Sequence, residues 1–278
     1  MADRYALFGH PVAHSVSPAL HAAFARQTGQ EFTYDKHTVA PDDFSARVKE
    51  FFAIGGKGLN ITLPFKGAAF AGADRLTPRA RQAQAVNTLW RDNSGALVGD
   101  NTDGAGFIRD LTVNHSIPVG GKNILLIGAG GAARGIIGPL LEQAPARLHI
   151  ANRTASRATE LAALFGSPVT GGGFDVWPDA RFDLIINATA AGHEGVAAAP
   201  PDKLLAPRFS GYDLSYGDVA APFLQWAQSH RAASACDGWG MLVEQAAESF
   251  YLWRGLRPDT APVIADREAY FGSGGGIM

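Results

Sequence analysis

Lys122-Asn-Ile-Leu-Leu-Ile-Gly-Ala-Gly-Gly-Ala-Ala-Arg-Gly135 sets the fold class of this chain. Asn123 to Ile127 is a short, nearly unbroken apolar run, as expected of a parallel strand buried on both faces. It runs straight into Gly128-Ala129-Gly130-Gly131-Ala132-Ala133, which fits the dinucleotide fingerprint G-x-G-x-x-G/A. In that fingerprint Gly128 makes the tight turn and Gly130 lets the backbone approach a pyrophosphate. Ala133 is small enough for helix and strand to pack closely, so that the helix N-terminus faces the phosphates. A strand before it and a helix from Arg134 to Gln143 after it supply the context the motif requires. The competing reading is a glycine-rich turn that holds no ligand.

Size extends the argument to two lobes. The 278 residues exceed a prior of ~100–200 per domain. Hydrophobic content of 46% is that of a soluble globular protein, and 24 basic residues against 26 acidic ones offer nothing to a nucleic acid or a membrane surface. One cysteine, Cys236, precludes an intrachain disulfide and a cysteine metal cluster, and the histidines lack metal-ligand spacing, so no metal is expected. The start Met-Ala-Asp-Arg-Tyr has no signal-peptide pattern, and no apolar run approaches ~18 residues. The expected setting is cytoplasmic, with a small-molecule substrate and either a monomer or a homodimer.

Strand and helix alternate along both halves. Tyr5 to Phe8 reads as a strand, and Pro18 suits the first turn of a helix, making Ser17 its N-cap, with Gly29 at the exit. Glu31 to Val39 reads as extended, Phe44, Val48 and Phe51 fall at helical spacing, and Gly58 to Ile61 is a strand. Pro64 opens a helix carrying Lys66. Val86 to Trp90 and Leu97-Val98 flank Asp92-Asn-Ser-Gly95 as a hairpin. Gly104 to Asn114 reads as a helix leading into the second lobe. There, strands are expected at Arg147 to Ala151, Asp183 to Ile186 and Gly211 to Leu214. Helices are expected at Ser156 to Phe165, Pro222 to His230 and Met241 to Trp253. The Ala197-Ala-Ala-Pro-Pro201 run reads as a loop, and the Gly-Ser-Gly-Gly-Gly tail as mobile. The predicted architecture is α/β: a first lobe over residues 1–103, a Rossmann-like doubly wound nucleotide lobe over 104–237, and a segment 238–278 whose helix returns to the first lobe.

The second strand of the nucleotide lobe ends in Ala151-Asn-Arg-Thr154, with Arg157 one turn later. A cofactor with a free ribose 2′-hydroxyl normally meets Asp or Glu there, ~20 residues after the glycines. A guanidinium instead suits a 2′-phosphate, through paired, charge-assisted hydrogen bonds. Asn152, Arg153, Thr154 and Arg157 therefore point to NADP. The bland reading is a helix capped by Thr154 with solvated arginines.

Polar residues of the first lobe gather at predicted strand ends: Ser15, Ser17, Asn60, Thr62, Lys66, Asn87 and Asn101-Thr-Asp103. Open α/β sheets bind ligands outside the carboxyl ends of their strands, and these groups suit a small polyhydroxylated acid. His14-Ser-Val-Ser-Pro18, Asn60-Ile-Thr-Leu-Pro-Phe-Lys66, Ala85-Val-Asn-Thr88, Gly99-Asp-Asn-Thr-Asp103, Gly128-Ala-Gly-Gly-Ala132, Asn152-Arg-Thr154 and Asp237-Gly-Trp-Gly-Met-Leu-Val-Glu-Gln245 follow one another along the chain. As an ordered set they resemble the shikimate dehydrogenase family over nearly everything from Tyr5 to Gly255. That resemblance implies NADP-linked, reversible reduction of 3-dehydroshikimate to shikimate in aromatic biosynthesis.

Carried over by the resemblance, Lys66 is the catalytic acid/base, paired with Asp103. Ser15 and Ser17 hold the substrate carboxylate, with Tyr216 near it. Asn60, Thr62, Asn87, Asp103 and Gln245 bind hydroxyls and the surroundings of the reacting carbon. Gly128, Ala129, Gly130, Gly131 and Ala132 with Asn152, Arg153, Thr154 and Arg157 hold the cofactor, and Thr189, Leu214 and Gly238 lie beside its nicotinamide end. Hydride addition to a ketone leaves negative charge on oxygen, which an ammonium can stabilise and protonate. Taken singly the residues have plainer readings. Lys66 is a surface lysine, Asp103 caps the helix from Gly104, Asn60 and Asn87 satisfy strand-end backbone, Tyr216 packs and Gln245 is solvated. Three positions depart from the family pattern: Pro78 stands near a usual acid, Ala190 where serine is usual, and Ala221 where threonine is often seen. The rival functions are a dehydrogenase acting on quinate as well as shikimate, an enzyme of the tetrahydrofolate dehydrogenase type, and a non-catalytic NADP-sensing regulator.

Overall fold

The computed structural model describes residues 2–197 and 199–271, so the glycine-rich tail lies outside the described residues. The fold is mixed α/β with two six-stranded sheets. Two compact units contain them. One comprises the chain up to Gly106 together with that from Leu242 onward, and the other runs from Phe107 to Met241. No helix among the described residues is long and apolar enough to cross a membrane.

The first unit contains β1 (Asp3–Gly9), β2 (Phe32–Thr38), β3 (Gly56–Ile61), β4 (Arg75–Leu76), β5 (Thr88–Arg91) and β6 (Leu97–Asp100). Their order is β2-β1-β3-β5-β6-β4. β1 is parallel to β2 and β3, while β5 runs antiparallel to β3 and to β6. The helices are α1 (Ser17–Thr28), α2 (Phe44–Ala53), α3 (Lys66–Gly72) and α4 (Pro78–Ala83). α2 forms where the spacing places it, burying Phe44, Val48, Phe51 and Phe52 on one stripe against Phe8, Leu59 and Ile61 of the sheet. β1, β3 and β6 share a direction, so the loops after Gly9, Ile61 and Asp100 leave from the same end of the sheet, and Asn87 enters β5 there. Asn60, Thr88 and Asp100 lie in register across three strands.

The same unit buries His21 completely, its ring stacked on Tyr34 at a centroid separation of 4.2 Å and 10°. Burial lowers the His21 pKa to about 3. The unfolded chain takes up this proton near the ordinary value of ~6.5, so between those limits the unfolded state binds more protons and folding stability falls as pH falls.

The second unit begins within α5 (Asp103–Arg109), which passes into a five-residue π-turn, Asp110–Asn114. Its strands are β7 (Asn123–Ile127), β8 (Arg147–Ala151), β9 (Val169–Gly172), β10 (Phe182–Asn187), β11 (Leu205–Asp213) and β12 (Ser234–Cys236). All pair in parallel, in the order β12-β11-β10-β7-β8-β9. α6 (Gly131–Glu142), α7 (Ala155–Ala163) and α8 (Ala221–Ser229) connect them. α9 (Trp239–Arg254) then returns the chain to the first unit, followed there by α10 (Ala261–Ala265) and α11 (Glu268–Phe271). Each face of the sheet carries its own core, one around Leu126, Ile136, Leu140 and Ile150, the other around Leu125, Ile127, Phe182 and Phe223. Cys236 is buried in the first of these cores.

Three expectations change. The helix read over 104–114 forms, but its last turn, 110–114, is π rather than α, and there Asp110 is fully buried. It accepts from Tyr212 Oη at 2.5 Å and from Asn114 Nδ2 at 2.9 Å. β9 has no strand-like composition, since Gly171 packs so closely under α7 that a Cβ would lie 2.2 Å from the Ala158 carbonyl oxygen. β11 runs longer than its Gly211–Leu214 core, and β12 pairs beside it.

Urea midpoints of the native protein and of His21→Phe should therefore diverge with pH. Between about pH 7 and 4.5 the native midpoint falls more steeply, and parallel loss in both proteins would remove His21 as the cause.

Candidate active site

The loops leaving the first sheet converge on a pair of charges. Lys66 Nζ lies 2.5 Å from Asp103 Oδ2, with side chains 27% and 14% exposed. Each residue opens its helix, α3 or α5. The Val86 N–H bonds the Lys66 carbonyl at 3.0 Å, which draws the lysine loop to the Asn87 segment. Asp103 does not cap α5: its side chain turns to Lys66 and Asn87, while its own N–H donates to Asn101 Oδ1 at 3.1 Å. Asn87 Nδ2 donates to Asp103 Oδ1 at 2.8 Å, and Asn87 Oδ1 accepts from the Thr102 N–H at 2.9 Å. A backbone donor thus dictates which way the Asn87 amide faces.

Asp100, three residues before Asp103, anchors this loop. Its carboxylate is 1% exposed and accepts from Arg79 Nε at 2.8 Å and Arg79 Nη2 at 2.6 Å, from Thr77 Oγ1 at 2.5 Å, and from the Asn101 N–H at 2.7 Å. Arg79 Nη2 also reaches Glu248 Oε1 at 3.0 Å. A bidentate guanidinium with added hydrogen bonds is the arrangement that offsets the cost of burying a carboxylate.

Asn60 is buried at the end of β3. Its Nδ2 reaches the Asn87 carbonyl at 3.2 Å, Thr88 Oγ1 at 3.2 Å and Ser249 Oγ at 3.0 Å. Gln245 Oε1 lies 3.4 Å from Asn87 Nδ2. Lys66, Asp103, Asn87, Gln245 and Asn60 therefore form one connected constellation. Gly106 lets α5 meet α9 at Gln245, where a Cβ would lie 2.6 Å from the Gln245 nitrogen. Ser17 is the first residue of α1, and the N-cap position falls on Val16 without any side-chain cap. The expected capping role of Ser17 is thereby corrected: its hydroxyl accepts from Ser15 Oγ at 3.1 Å. The Thr62 hydroxyl has no hydrogen-bond partner among the described residues. Thr88, Ser249, Arg79 and Asp100 escaped the sequence reading. Thr88 and Asp100 sit inside quoted motifs, and Ser249 lies one turn beyond Gln245, but nothing local marks Arg79.

In the second unit Gly128 has φ +111°, and a Cβ there would lie 2.8 Å from the Ala188 carbonyl oxygen, so the turn itself demands glycine. Gly130 and Gly131 meet no protein atom within 4 Å of an added Cβ. Nothing in the protein's own packing calls for glycine at these two positions. α6 opens there with no side-chain cap, leaving first-turn N–H groups for an anion. Thr154 occupies the N-cap position of α7, yet its side chain makes no capping bond. Asn152 Nδ2 donates to the Thr154 carbonyl at 2.9 Å, and Arg153 and Arg157 are exposed, with no ion pair among the described residues. Thr189 Oγ1 donates to Asn187 Oδ1 at 2.8 Å, and Leu214 N–H bonds the Asn187 carbonyl at 2.9 Å. A Cβ on Gly238 would lie 2.2 Å from the Leu214 carbonyl oxygen. Beside them burial pushes the Asp213 carboxyl up to about 6, against hydrogen bonds from Asn187 and Ser215. Tyr216 also belongs to this unit, preceding the turn Gly217–Val219.

A family model described as the shikimate dehydrogenase substrate binding domain matches residues 7–89. One described as shikimate/quinate 5-dehydrogenase matches 112–222, and one described as the shikimate 5′-dehydrogenase C-terminal domain matches 238–265. A shikimate dehydrogenase (NADP(+)) of Alkalilimnicola ehrlichii is 53% identical over 267 residues, covering 95% of this chain and 98% of that one. The chain belongs to the shikimate dehydrogenase family. Among solved structures, an Ael1 enzyme from Pseudomonas putida has a TM-score of 0.89 at 41% identity, covering 95% of this chain and 97% of that one. Shikimate 5-dehydrogenase from Thermus thermophilus, in complex with NADP(H) and shikimate, has a TM-score of 0.85 at 34% identity, covering 96% and 99%. The three departures from the family pattern all fall at the starts of helical turns. Pro78 opens α4, Ala221 opens α8, and Ala190 precedes the 3₁₀ turn Ala191–Glu194.

Replacing Arg79 by Leu strands the buried Asp100 charge. The expected loss is ~2–4 kcal/mol of unfolding free energy, measured by urea titration, with the Asp100→Asn/Arg79→Leu pair recovering part of it.

Proposed function

We propose that this chain is an NADP-dependent dehydrogenase interconverting 3-dehydroshikimate and shikimate, with Lys66 as acid/base and Asp103 as its partner. The observation that carries the reading is the Lys66–Asp103 pair at 2.5 Å, with Asn87 holding the second carboxylate oxygen. The residues of the second unit fit the cofactor. Gly130 and Gly131 open the backbone to a pyrophosphate, the uncapped start of α6 faces it, and Arg153 and Arg157 offer guanidinium groups to a 2′-phosphate. When bound, the nicotinamide supplies the hydride in reduction and accepts it in oxidation.

The chain's own residues handle charge and protons. As the ketone carbon is reduced, negative charge grows on its oxygen, and the Lys66 ammonium stabilises it and gives up a proton to complete the hydroxyl. In oxidation the hydroxyl proton leaves through the same nitrogen. Asp103 keeps the ammonium in place. Ser15 and Ser17 supply hydroxyl donors to a carboxylate, while Asn60, Thr62, Asn87 and Gln245 face the ring hydroxyls. The absence of an acid beside Arg153 favours NADP over NAD.

The deciding assay follows NADP⁺ reduction by absorbance with shikimate, with quinate and without substrate. Turnover with shikimate is expected, and its absence would set the proposal aside in favour of the sensing-regulator reading. Comparable rates with quinate would widen the substrate range. Lys66→Ala should lose at least ~10²-fold in kcat. A loss below about tenfold in a folded variant, judged by circular dichroism, would remove Lys66 from the chemistry. The ratio of kcat/KM for the two cofactors should favour NADP by about tenfold or more, and Arg153→Ala should erode that ratio while sparing the rate with NAD.

A further inference from the structure

Asn60 must face a ligand with either its oxygen or its nitrogen, and the surrounding bonds decide which. The Asn87 carbonyl can only accept, so the Asn60 group 3.2 Å from it is the NH₂. With Thr88 Oγ1 at 3.2 Å and Ser249 Oγ at 3.0 Å as further acceptors, both amide hydrogens are committed inside the protein. Asn60 Oδ1 then lies 2.7 Å from Tyr34 Oη, and the phenol must be the donor. Tyr34 belongs to β2, the edge strand two places from β3, and its ring is clamped against the buried His21. Burial raises its pKa well above that of an ordinary phenol, so the donated proton stays in place at all working pH values. The Ser17 hydroxyl, which accepts from Ser15, lies near the phenol.

The second amide is similarly committed. Asn87 Nδ2 has its hydrogens directed to Thr102 Oγ1 at 2.9 Å and Asp103 Oδ1 at 2.8 Å. Asn87 Oδ1 is occupied as well, accepting from the Thr102 N–H and from Thr88 Oγ1, each at 2.9 Å, so the acceptor capacity left for a ligand is that of Asn60 Oδ1. We propose that Tyr34 is a positioning and specificity-determining residue: by donating to Asn60 Oδ1 it holds that amide as an acceptor, so that the site selects a substrate presenting a hydroxyl donor there. A keto or ether oxygen at that place would set two acceptors against each other, a cost the site does not compensate. The inference takes the identity of the substrate from the function proposed above; the donor logic comes from the bonds themselves.

The test is Tyr34→Phe, which keeps the ring on His21 and deletes the donor. KM for shikimate should rise about tenfold, kcat should change less than about threefold, and KM for NADP⁺ should stay unchanged. With monodeoxy shikimates, the analogue lacking the hydroxyl that meets Asn60 should show no Tyr34→Phe effect, and Asn60→Ala should be silent on the same analogue. A purely structural role would instead weaken every analogue alike, and that result, or a KM shift below about twofold, overturns the proposal. The side-chain amide resonances of Asn60, assigned in ¹⁵N-labelled protein, provide a readout free of turnover. They should move in Tyr34→Phe without any substrate, and unmoved signals would likewise overturn it. If the native enzyme ignored shikimate, the functional reading would fall while the amide signals still decided the role of Tyr34.

Discussion

A carboxylate drawn out of water must be met on both of its oxygens, and at Asp103 the two partners come from different stretches of chain. Lys66 meets one oxygen and Asn87 the other. Each partner is itself constrained: Lys66 by the short turn after β3, Asn87 by the Thr102 backbone donor. Behind them Asp100 is locked by Arg79 and Thr77, which sets where the Asn101-Thr102-Asp103 loop leaves the sheet. The pair at the centre is half-buried, so it holds its geometry more firmly than an exposed ion pair while keeping a route to solvent for protons.

This arrangement explains what was legible in the sequence. β7, β8 and α2 were readable because burial on a strand or a helix stripe imposes its period on the residues. The glycine loop was readable because a backbone turn with φ +111° leaves a residue-type trace. Lys66, Asp103, Asn87, Asn60 and Gln245 entered through their family motifs, and the structure brings them into one network. Arg79 left no trace because its partners lie 21 and 169 residues away, and no local period records a long-range pair. β9 was lost for the opposite reason: close packing under α7 requires glycine, which reads as a loop. The capping role expected of Ser17 failed because Pro18 follows one residue inside the helix rather than at its boundary, which frees the hydroxyl.

The glycines divide into those that the protein itself requires and those that it does not. Gly128, Gly171 and Gly238 would each drive a Cβ into a carbonyl oxygen of their own unit, so their identity follows from packing. Gly130 and Gly131 face no such obstacle. Fingerprint residues of the two kinds look alike in sequence and separate only in coordinates. Substitutions at the first kind act on folding, and those at the second act on whatever approaches the loop.

Cys236 is the chain's single thiol, and it is buried in one core of the Rossmann-like unit. A thiol-specific reagent can reach it only when that unit opens, and nothing in the other unit competes for the label. In the limit where closing outruns reaction, labelling rate measures the population of the open form, hence the local opening free energy of one half of the molecule. The protein carries its own reporter for the stability of its nucleotide-binding half.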